Sequence, residues 1–238
     1  MNKELVWKRK RLGCISASEL DDIVSASGKI IDGNLSYIRK KRFERKHGYS
    51  LPVSSRPMEI GKEQEPYIAQ WLRVNYPSLD IIYSQDFDEI PFWKVGWAKY
   101  GASPDCFTRD ERIVFECKTL VSNERIEFFA DDYTSFEEKR KSVLKEHGNQ
   151  IAGQFLSNDK VEEIWLVKYI YQNDDIMEDT DDPCAPWRGF VFKFKREDFD
   201  LEAMRERIIL FDEFIDSKEN PSELKKLKKE KEKNESKV

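Results

Sequence analysis

Two carboxylates and a lysine occupy what the sequence predicts to be neighbouring β-strands. The stretch GASPDCFTRDERIVFECK, residues 101–118, carries Asp105, Glu116 and Lys118 among apolar residues. A strand over Ile113–Thr119 would project Glu116 and Lys118 from one face, because successive side chains of a strand alternate between faces. Charge is unusual on a half-buried strand, so these three residues are candidates for chemistry.

A tight turn centred on Asp110–Glu111 would make Asp105 the cross-strand partner of Glu116. Their Cβ atoms would then lie about 4.5–5.5 Å apart, and two like charges at that separation repel each other. A hard divalent cation would offset the repulsion, since Mg²⁺ is typically held by one or two carboxylates together with water and phosphate oxygens.

Lys118 can point to the same place as Glu116 and would stabilise developing charge or help to orient and deprotonate an attacking water. The three residues together predict metal-assisted hydrolysis of a phosphodiester bond. A salt-bridged, solvent-facing hairpin is the alternative. The Glu-x-Lys spacing alone does not decide between them, because it occurs five times in the chain.

Composition indicates a soluble intracellular protein with one main domain. The 238 residues are 39% hydrophobic and 37% charged, with a mean hydropathy of −0.73. No apolar run is long enough to span a membrane, and the N-terminus lacks the apolar stretch of a signal peptide. Four cysteines without CxxC spacing and two histidines argue against zinc and favour reduced thiols in a cytosolic protein.

Charge is distributed unevenly along the chain. Residues 1–48 contain twelve Lys or Arg and six Asp or Glu, a local charge of +6, which leaves −11 for the remainder. The basic residues cluster at 7–11 and 38–46. A basic region on an acidic body would suit a polyanion, although the second cluster is equally consistent with the solvated face of a helix.

Periodicity and turn residues predict helices alternating with strands. Pro66 inside one helix implies a kink or a late start. The fold class predicted is α/β (α+β), a central mixed β-sheet flanked by helices. The predicted helices are a capped segment from Ser16 to about Gly28, Leu35–Gly48, Met58–Asn75, a capped segment from Ser135 to about Leu156, and Leu201–Ser217. The predicted strands are Asp80–Tyr83, Lys94–Phe107, Ile113–Thr119, Ile164–Tyr171 and Gly189–Phe194.

The domain prediction is a single unit over residues 1–218, with N-terminal helices at 1–57 and a catalytic core at 58–172. The acidic segment 173–182 is expected to be an exposed loop. Residues 219–238 form a Lys/Glu-rich tail, which is expected to be a lone helix or disordered.

Four motifs, in this order, resemble those of the phage lambda exonuclease and YqaJ-like viral recombinase family. They are WKRKRLGCISASEL at 7–20, GKEQE at 61–65, GASPD at 101–105 followed by FECK at 115–118, and the glutamine Gln150. The resemblance covers about two-thirds of the chain and implies a restriction-endonuclease-like PD-(D/E)xK nuclease core. It further implies that Asp105 and Glu116 ligate Mg²⁺, for which Mn²⁺ would substitute.

The resemblance also implies roles for neighbouring residues. The Cys117 backbone carbonyl would be a further metal ligand, and Lys118 would be the catalytic lysine. Glu65 would reach a second metal ion or its water shell, and Gln150 would position the nucleophilic water or the Lys118 amine. From spacing alone, ordinary helix-surface roles are the better explanation of Glu65 and Gln150.

The N-terminal motif suits an anion. Ser16 and Glu19 are spaced as a capping box, and a helix N-terminus attracts phosphate. Arg11 with the Ser16 and Ser18 hydroxyls would complete the pocket. The resemblance implies that these positions hold the 5′-phosphate of the strand being degraded. Alternatively, Ser16 only caps the helix and Arg11 pairs with an acid.

The resemblance implies an ATP-independent 5′→3′ exonuclease that acts on the ends of linear double-stranded DNA and leaves 3′ overhangs. It also implies a homotrimer, a single-strand annealing protein as partner, and a phage-encoded or bacterial cytoplasmic protein. His147 stands where the family commonly has Tyr, and residues 121–133 match no family feature, so substrate details stay open. The alternatives are an endonuclease or RNA-acting relative, and a silent nucleic-acid-binding module.

Overall fold

The computed structural model describes residues 2–24, 35–50, 55–120, 134–170 and 182–217. The predicted mixed α/β architecture, in which helices flank a mixed sheet, is confirmed. Five α-helices are described: α1 (Lys3–Arg11), α2 (Leu35–His47), α3 (Arg56–Asn75), α4 (Phe136–Ser157) and α5 (Leu201–Asp216). Eight strands are described: β1 (Ile15–Ser16), β2 (Ile81–Tyr83), β3 (Trp93–Lys94), β4 (Tyr100–Ala102), β5 (Cys106–Thr108), β6 (Ile113–Leu120), β7 (Glu163–Ile170) and β8 (Gly189–Lys195).

No helix in the described ranges is both long and apolar enough to cross a membrane.

The larger sheet has five strands in the order β2-β5-β6-β7-β8. Strands β6 and β7 run parallel, and the other neighbours are antiparallel. The β5–β6 hairpin pairs Cys106 with Phe115 and Phe107 with Val114. This register is the one expected from a turn centred on Asp110–Glu111, so that prediction is confirmed.

Helices cover both faces of this sheet. One face, with Phe115 and Val167, packs against Ile68 and Leu72 of α3. The other face, whose buried residues include Val114, packs against α4 and forms a separate core cluster. Side chains of β6 therefore alternate between two helix-covered faces as the pattern predicts, and Glu116 and Lys118 lie on the face beneath α4.

A three-stranded sheet, β1-β4-β3, accompanies the larger one. It belongs to a third core cluster that joins α2, α5 and another side of α4. Gly153 of α4 allows the close approach, because a Cβ there would lie 2.5 Å from Leu20 and within clashing distance of Tyr100.

The helix predicted to begin after Ser16 is wrong in type and length. The segment Ala17–Asp22 is a six-residue 3₁₀ helix, and residues 25–28 of the predicted helix lie outside the described residues. Side chains three apart align in a 3₁₀ helix. Ala17, Leu20 and Ile23, which have that spacing, are all buried, so burial of this row favours the tighter helix.

The single strand predicted over Lys94–Phe107 is wrong. The structure divides it into β3, β4 and β5. A bend follows Lys94, and the interruption before Cys106 contains Pro104, which has no N–H to donate to a ladder. Asp105 consequently lies just before β5 and not on a strand.

Two further differences concern helices. α3 begins at Arg56, so a late start caused by Pro66 is wrong. The sequence does not predict α1, since this segment contains few apolar residues. In the structure none of the residues of α1 is buried.

The capping box of Ser135 and Glu138 at the start of α4 is confirmed. The segments 121–133 and 218–238, and all of 173–182 except Asp182, lie outside the described residues.

Candidate active site

Glu116 is a buried carboxylate held by side chains of α4 and by Lys118. Only 3% of Glu116 is exposed. Its Oε1 accepts from Gln150 Nε2 at 2.7 Å and lies 2.8 Å from Lys118 Nζ. Its Oε2 accepts from Gln154 Nε2. Lys118 Nζ in turn donates to Gln150 Oε1 at 3.1 Å, so Gln150 bridges the carboxylate and the lysine.

Asp105 meets the same strand from the loop before β5. Continuing the β5–β6 register places Asp105 opposite Glu116. Asp105 Oδ2 accepts a hydrogen bond from the Cys117 backbone N–H at 2.8 Å. Ser84 holds the backbone of this loop, because its N–H donates to the Asp105 carbonyl at 3.0 Å and its Oγ donates to the Pro104 carbonyl at 2.5 Å. Both the side chain and the main chain of Asp105 are therefore fixed.

The carboxylates of Asp105 and Glu65 are both placed where ionisation is unfavourable. Burial raises the pKa of Asp105 well above its ordinary value, and the charges of Glu116 and Glu65 raise it further. Burial also raises the pKa of Glu65, against the opposing effect of a hydrogen bond from Tyr83. That bond runs from Tyr83 Oη to Glu65 Oε2 at 3.1 Å. The structure therefore brings Glu65 of α3 close enough to the other two carboxylates for their charges to interact.

Lys118 is an ammonium group in this arrangement. Burial lowers its pKa, but the neighbouring charges of Glu116 and Asp105 outweigh burial, and the net pKa is raised. A protonated lysine stabilises negative charge and cannot accept a proton. Of the two roles predicted for Lys118, the charged state and the 2.8 Å contact of its ammonium with Glu116 favour charge stabilisation.

The donor set suits a hard divalent cation. Asp105 and Glu116 supply carboxylate oxygens, and Cys117, whose N–H already contacts Asp105, supplies a backbone carbonyl. Oxygen ligands of this kind are those that Mg²⁺ prefers. Within the described residues, no three His, Cys, Asp or Glu side chains converge closely enough to form a metal-binding group. Glu65 interacts with Asp105 and Glu116 through its charge and accepts from Tyr83.

Arg11, Ser16 and Ser18 also come together. Arg11 Nη2 donates to Ser16 Oγ at 3.2 Å, and the Ser16 and Ser18 hydroxyl oxygens are 3.3 Å apart. Glu19 Oε2 accepts from Ser16 N at 3.1 Å and from Ser16 Oγ at 2.9 Å. The three residues predicted to hold an anion thus form one hydrogen-bonded unit, within which Ser16 also belongs to the capping box.

Two contacts tie this cluster to the carboxylate site. Strand β1 pairs in parallel with β4 and places Ser16 beside Gly101. Trp7 Nε1 donates to Ser103 Oγ at 2.7 Å, two residues before Asp105. The Arg11 guanidinium stacks on the Trp7 ring at 4.3 Å, so α1 links Arg11 to the loop that carries Asp105.

The basic stretch of α2 is partly structural. Arg45 donates to the Gly13 carbonyl at 2.8 Å and pairs with Asp212 at 2.5 Å. Arg42 donates to the Phe214 carbonyl at 2.8 Å, at the C-terminal end of α5 where cations are favoured. Lys41 is only 4% exposed. These three cations therefore form neither a surface that binds a polyanion nor a solvated helix face.

Sequence reasoning missed Gln154 and Tyr83. Gln154 follows Gln150 by four residues, a spacing that places two side chains on one helix face, so a second amide near Glu116 could have been anticipated. Tyr83 ends a correctly predicted strand, but its contact with Glu65 joins two separate elements and has no local sequence signature.

Solved structures of two exonucleases share this fold. An alkaline exonuclease (LHK-Exo) from Laribacter hongkongensis superposes with a TM-score of 0.62 at 18% identity, covering 96% of this chain and 98% of that one. The structure of LHK-Exo in complex with dAMP superposes with a TM-score of 0.59 at 19% identity, and the coverage of the two chains is the same. A phage-related exonuclease from Haemophilus somnus 129PT superposes with a TM-score of 0.62 at 14% identity, covering 85% of this chain and 93% of that one. No protein-family model and no curated protein matches the sequence. The resemblance predicted from the motifs is confirmed at the level of the fold.

Proposed function

We propose that this chain is a metal-dependent, ATP-independent 5′→3′ exonuclease that hydrolyses one strand of linear double-stranded DNA and leaves 3′ overhangs. The observation that carries the proposal is the meeting of Asp105, Glu116 and Lys118 at one end of the β5–β6 hairpin. The fold shared with two exonucleases supports it, as does the dAMP complex of LHK-Exo, because dAMP is a nucleotide.

Asp105, Glu116 and the Cys117 carbonyl would hold Mg²⁺, for which Mn²⁺ would substitute. The cation would supply neutralisation of phosphate charge and activation of water. The Lys118 ammonium stabilises charge that develops on the phosphate oxygens. Gln150 accepts from the Lys118 ammonium through its carbonyl oxygen and would orient it, and Glu65 would accept a hydrogen bond from water in the site.

Arg11, Ser16 and Ser18 would bind the terminal 5′-phosphate. A guanidinium and serine hydroxyls match a phosphate group, and the Ser16 hydroxyl, which donates to Glu19 in this structure, would turn to the phosphate. The connection of these residues to Asp105 through α1 and β4 would set the distance between the strand end and the bond that is cleaved. This anchoring is the basis for proposing an exonuclease that starts at 5′ ends. A homotrimer and a single-strand annealing partner are proposed from the family resemblance alone.

The direction and end requirement are tested with three substrates. Linear duplex with a 5′-phosphate, linear duplex with a 5′-hydroxyl and closed circular DNA are incubated with Mg²⁺ or EDTA. We expect Mg²⁺-dependent loss of the 5′-phosphorylated strand, slower loss of the hydroxyl form and intact circles. Nicked circles would favour an endonuclease, and binding without cleavage would favour a silent binding module.

A further inference from the structure

A second lysine lies beside Lys118 under α4. Lys168 of β7 pairs with Lys118 of β6 in the parallel register, as Leu166 pairs with Glu116. Neighbouring strands are about 4.8 Å apart, so the two lysines leave the same face of the sheet next to each other. The Lys168 side chain is only 9% exposed.

The contacts of Lys168 come from α4. Its ammonium lies 3.0 Å from His147 Nε2 and 3.2 Å from Glu146 Oε2, and His147 Nε2 also lies 3.3 Å from Glu146 Oε1. The role of His147 Nε2 depends on its tautomer, because an unprotonated Nε2 accepts from the Lys168 ammonium whereas an Nε2–H donates to Glu146. His147 precedes Gln150 by three residues and therefore lies on the same side of the helix.

The stability of the fold alone does not explain why a lysine is buried at position 168. Burying an ammonium costs free energy, and two like charges facing each other across strands are destabilising. The carboxylate partner, Glu146, is 60% exposed. His147 and then Lys168 lower the pKa of Glu146 to about 2, so these contacts offset only part of the cost, because solvent screens an exposed carboxylate. Leu166, two residues earlier in the same row, is apolar and fully buried, so an apolar side chain fits this face.

The charge of the site gives Lys168 a role. Asp105, Glu65 and Glu116 repel a phosphodiester backbone, and Lys118 is already paired with Glu116 at 2.8 Å. Lys168 is the neighbouring cation in the row, and its exposed carboxylate partner can be displaced by a phosphate.

We propose that Lys168 binds a phosphate of the substrate strand next to the bond that is cleaved, with His147 orienting its ammonium. This inference rests on the proposed nuclease function. Lys168 is a substrate-binding residue, and His147 is a positioning residue. Glu146 is the counterion of Lys168, which the phosphate displaces when it binds.

Lys168→Met and Glu146→Gln form a matched pair for the test, because both remove the Glu146–Lys168 ion pair. Binding of linear 5′-phosphorylated duplex is measured in EDTA over a range of salt concentrations, and KM and kcat are measured with Mg²⁺. For Lys168→Met we expect a higher KM and a salt slope of log Kd reduced by about 1, as for the loss of one phosphate contact. Glu146→Gln should bind at least as tightly as the wild type.

Equal binding by the wild type and both variants would overturn the proposal, as would equal losses of binding and Tm in the two variants, which indicate a structural ion pair. Lys168→Arg keeps the charge and should restore the salt slope; if Lys168→Met does not fold, Lys168→Gln replaces it. Failure of the wild type to cleave DNA would instead contradict the proposed function itself, so the two failures are distinguishable.

Discussion

The Glu116 carboxylate is oriented by side chains that cannot be inferred from its own strand alone. Gln150 and Gln154 approach it from α4, and Lys118 approaches from two residues along β6. Gln154 is only 2% exposed, and its amide nitrogen donates to Glu116, so we expect no direct contact with the substrate. Its effect on chemistry would act through Glu116.

Gln154→Leu should therefore lower kcat by about 10–100-fold, the usual effect of losing a residue that orients a metal ligand, with KM for DNA little changed. Gln154→Glu should lower kcat at least as much, because it replaces the amide that donates to Glu116 by a carboxylate that cannot donate when ionised. An unchanged kcat in both variants would contradict a positioning role.

Asp105 is expected to destabilise the protein when no cation is bound. Its folded-state pKa is raised, first by burial and then by Glu116 and Glu65. An acid with a raised folded-state pKa weakens the fold as the pH rises from its ordinary pKa toward the raised one. At neutral pH this carboxyl group thus favours unfolding.

Asp105→Asn should raise Tm in EDTA by about 2–4 °C for each kcal/mol gained, while abolishing cleavage. The gain should shrink as the pH is lowered toward 3.8, the ordinary pKa of this carboxyl group. Mg²⁺ should stabilise the wild type more than the variant. Thermal unfolding checks both, and a lower Tm for Asp105→Asn in EDTA would count against charge repulsion.

At the scale of elements, α4 sets the geometry of the site. It supplies Gln150 and Gln154 on the side facing β6, while Gly153 contacts the segment that carries Ser16 and Ser18. A shift of α4 would move both clusters. The two glycines of this helix, Gly148 and Gly153, offer a direct comparison.

Gly153→Ala should destabilise the protein by about 1–3 kcal/mol, the usual effect of overpacking, because its Cβ would lie 2.5 Å from Leu20. Gly148→Ala is the control, since its nearest contact would be 3.4 Å from Leu144, and helix propensity should make it neutral or stabilising by up to about 1 kcal/mol. Denaturant unfolding of both variants tests this. Equal stabilities would show that α4 can shift to admit a Cβ.

Local patterns predicted some of these elements well. The β5–β6 register follows from a short turn, and the start of α4 follows from the Ser135–Glu138 capping box. The division of Lys94–Phe107 into three strands depends on pairing with β1 and β2, which lie elsewhere in the sequence. Pro104 is a local signal for the break before β5, but local propensity could not reveal the strands with which β4 and β5 pair.

Across the whole molecule, α2 and α5 are held together by basic residues of the cluster 38–46, which the sequence analysis considered as a binding region for a polyanion. Arg42 and Arg45 hold the C-terminal end of α5, and the local charge of +6 over residues 1–48 therefore overstates the cations facing a ligand. Composition could not reveal this, because the carbonyl partners of Arg42 lie 172 and 173 residues away. The domain limits, partners and oligomeric state stay predictions.

The most direct test of the proposed cation site is the cleavage rate of linear 5′-phosphorylated duplex DNA by the wild type and by Glu116→Gln as Mg²⁺ is titrated. We predict a wild-type rate that rises to saturation with Mg²⁺ and vanishes in EDTA, and a variant that binds DNA without cleaving it. Cleavage by Glu116→Gln at the wild-type rate, or cleavage that persists in EDTA, would contradict a cation site built on Asp105 and Glu116.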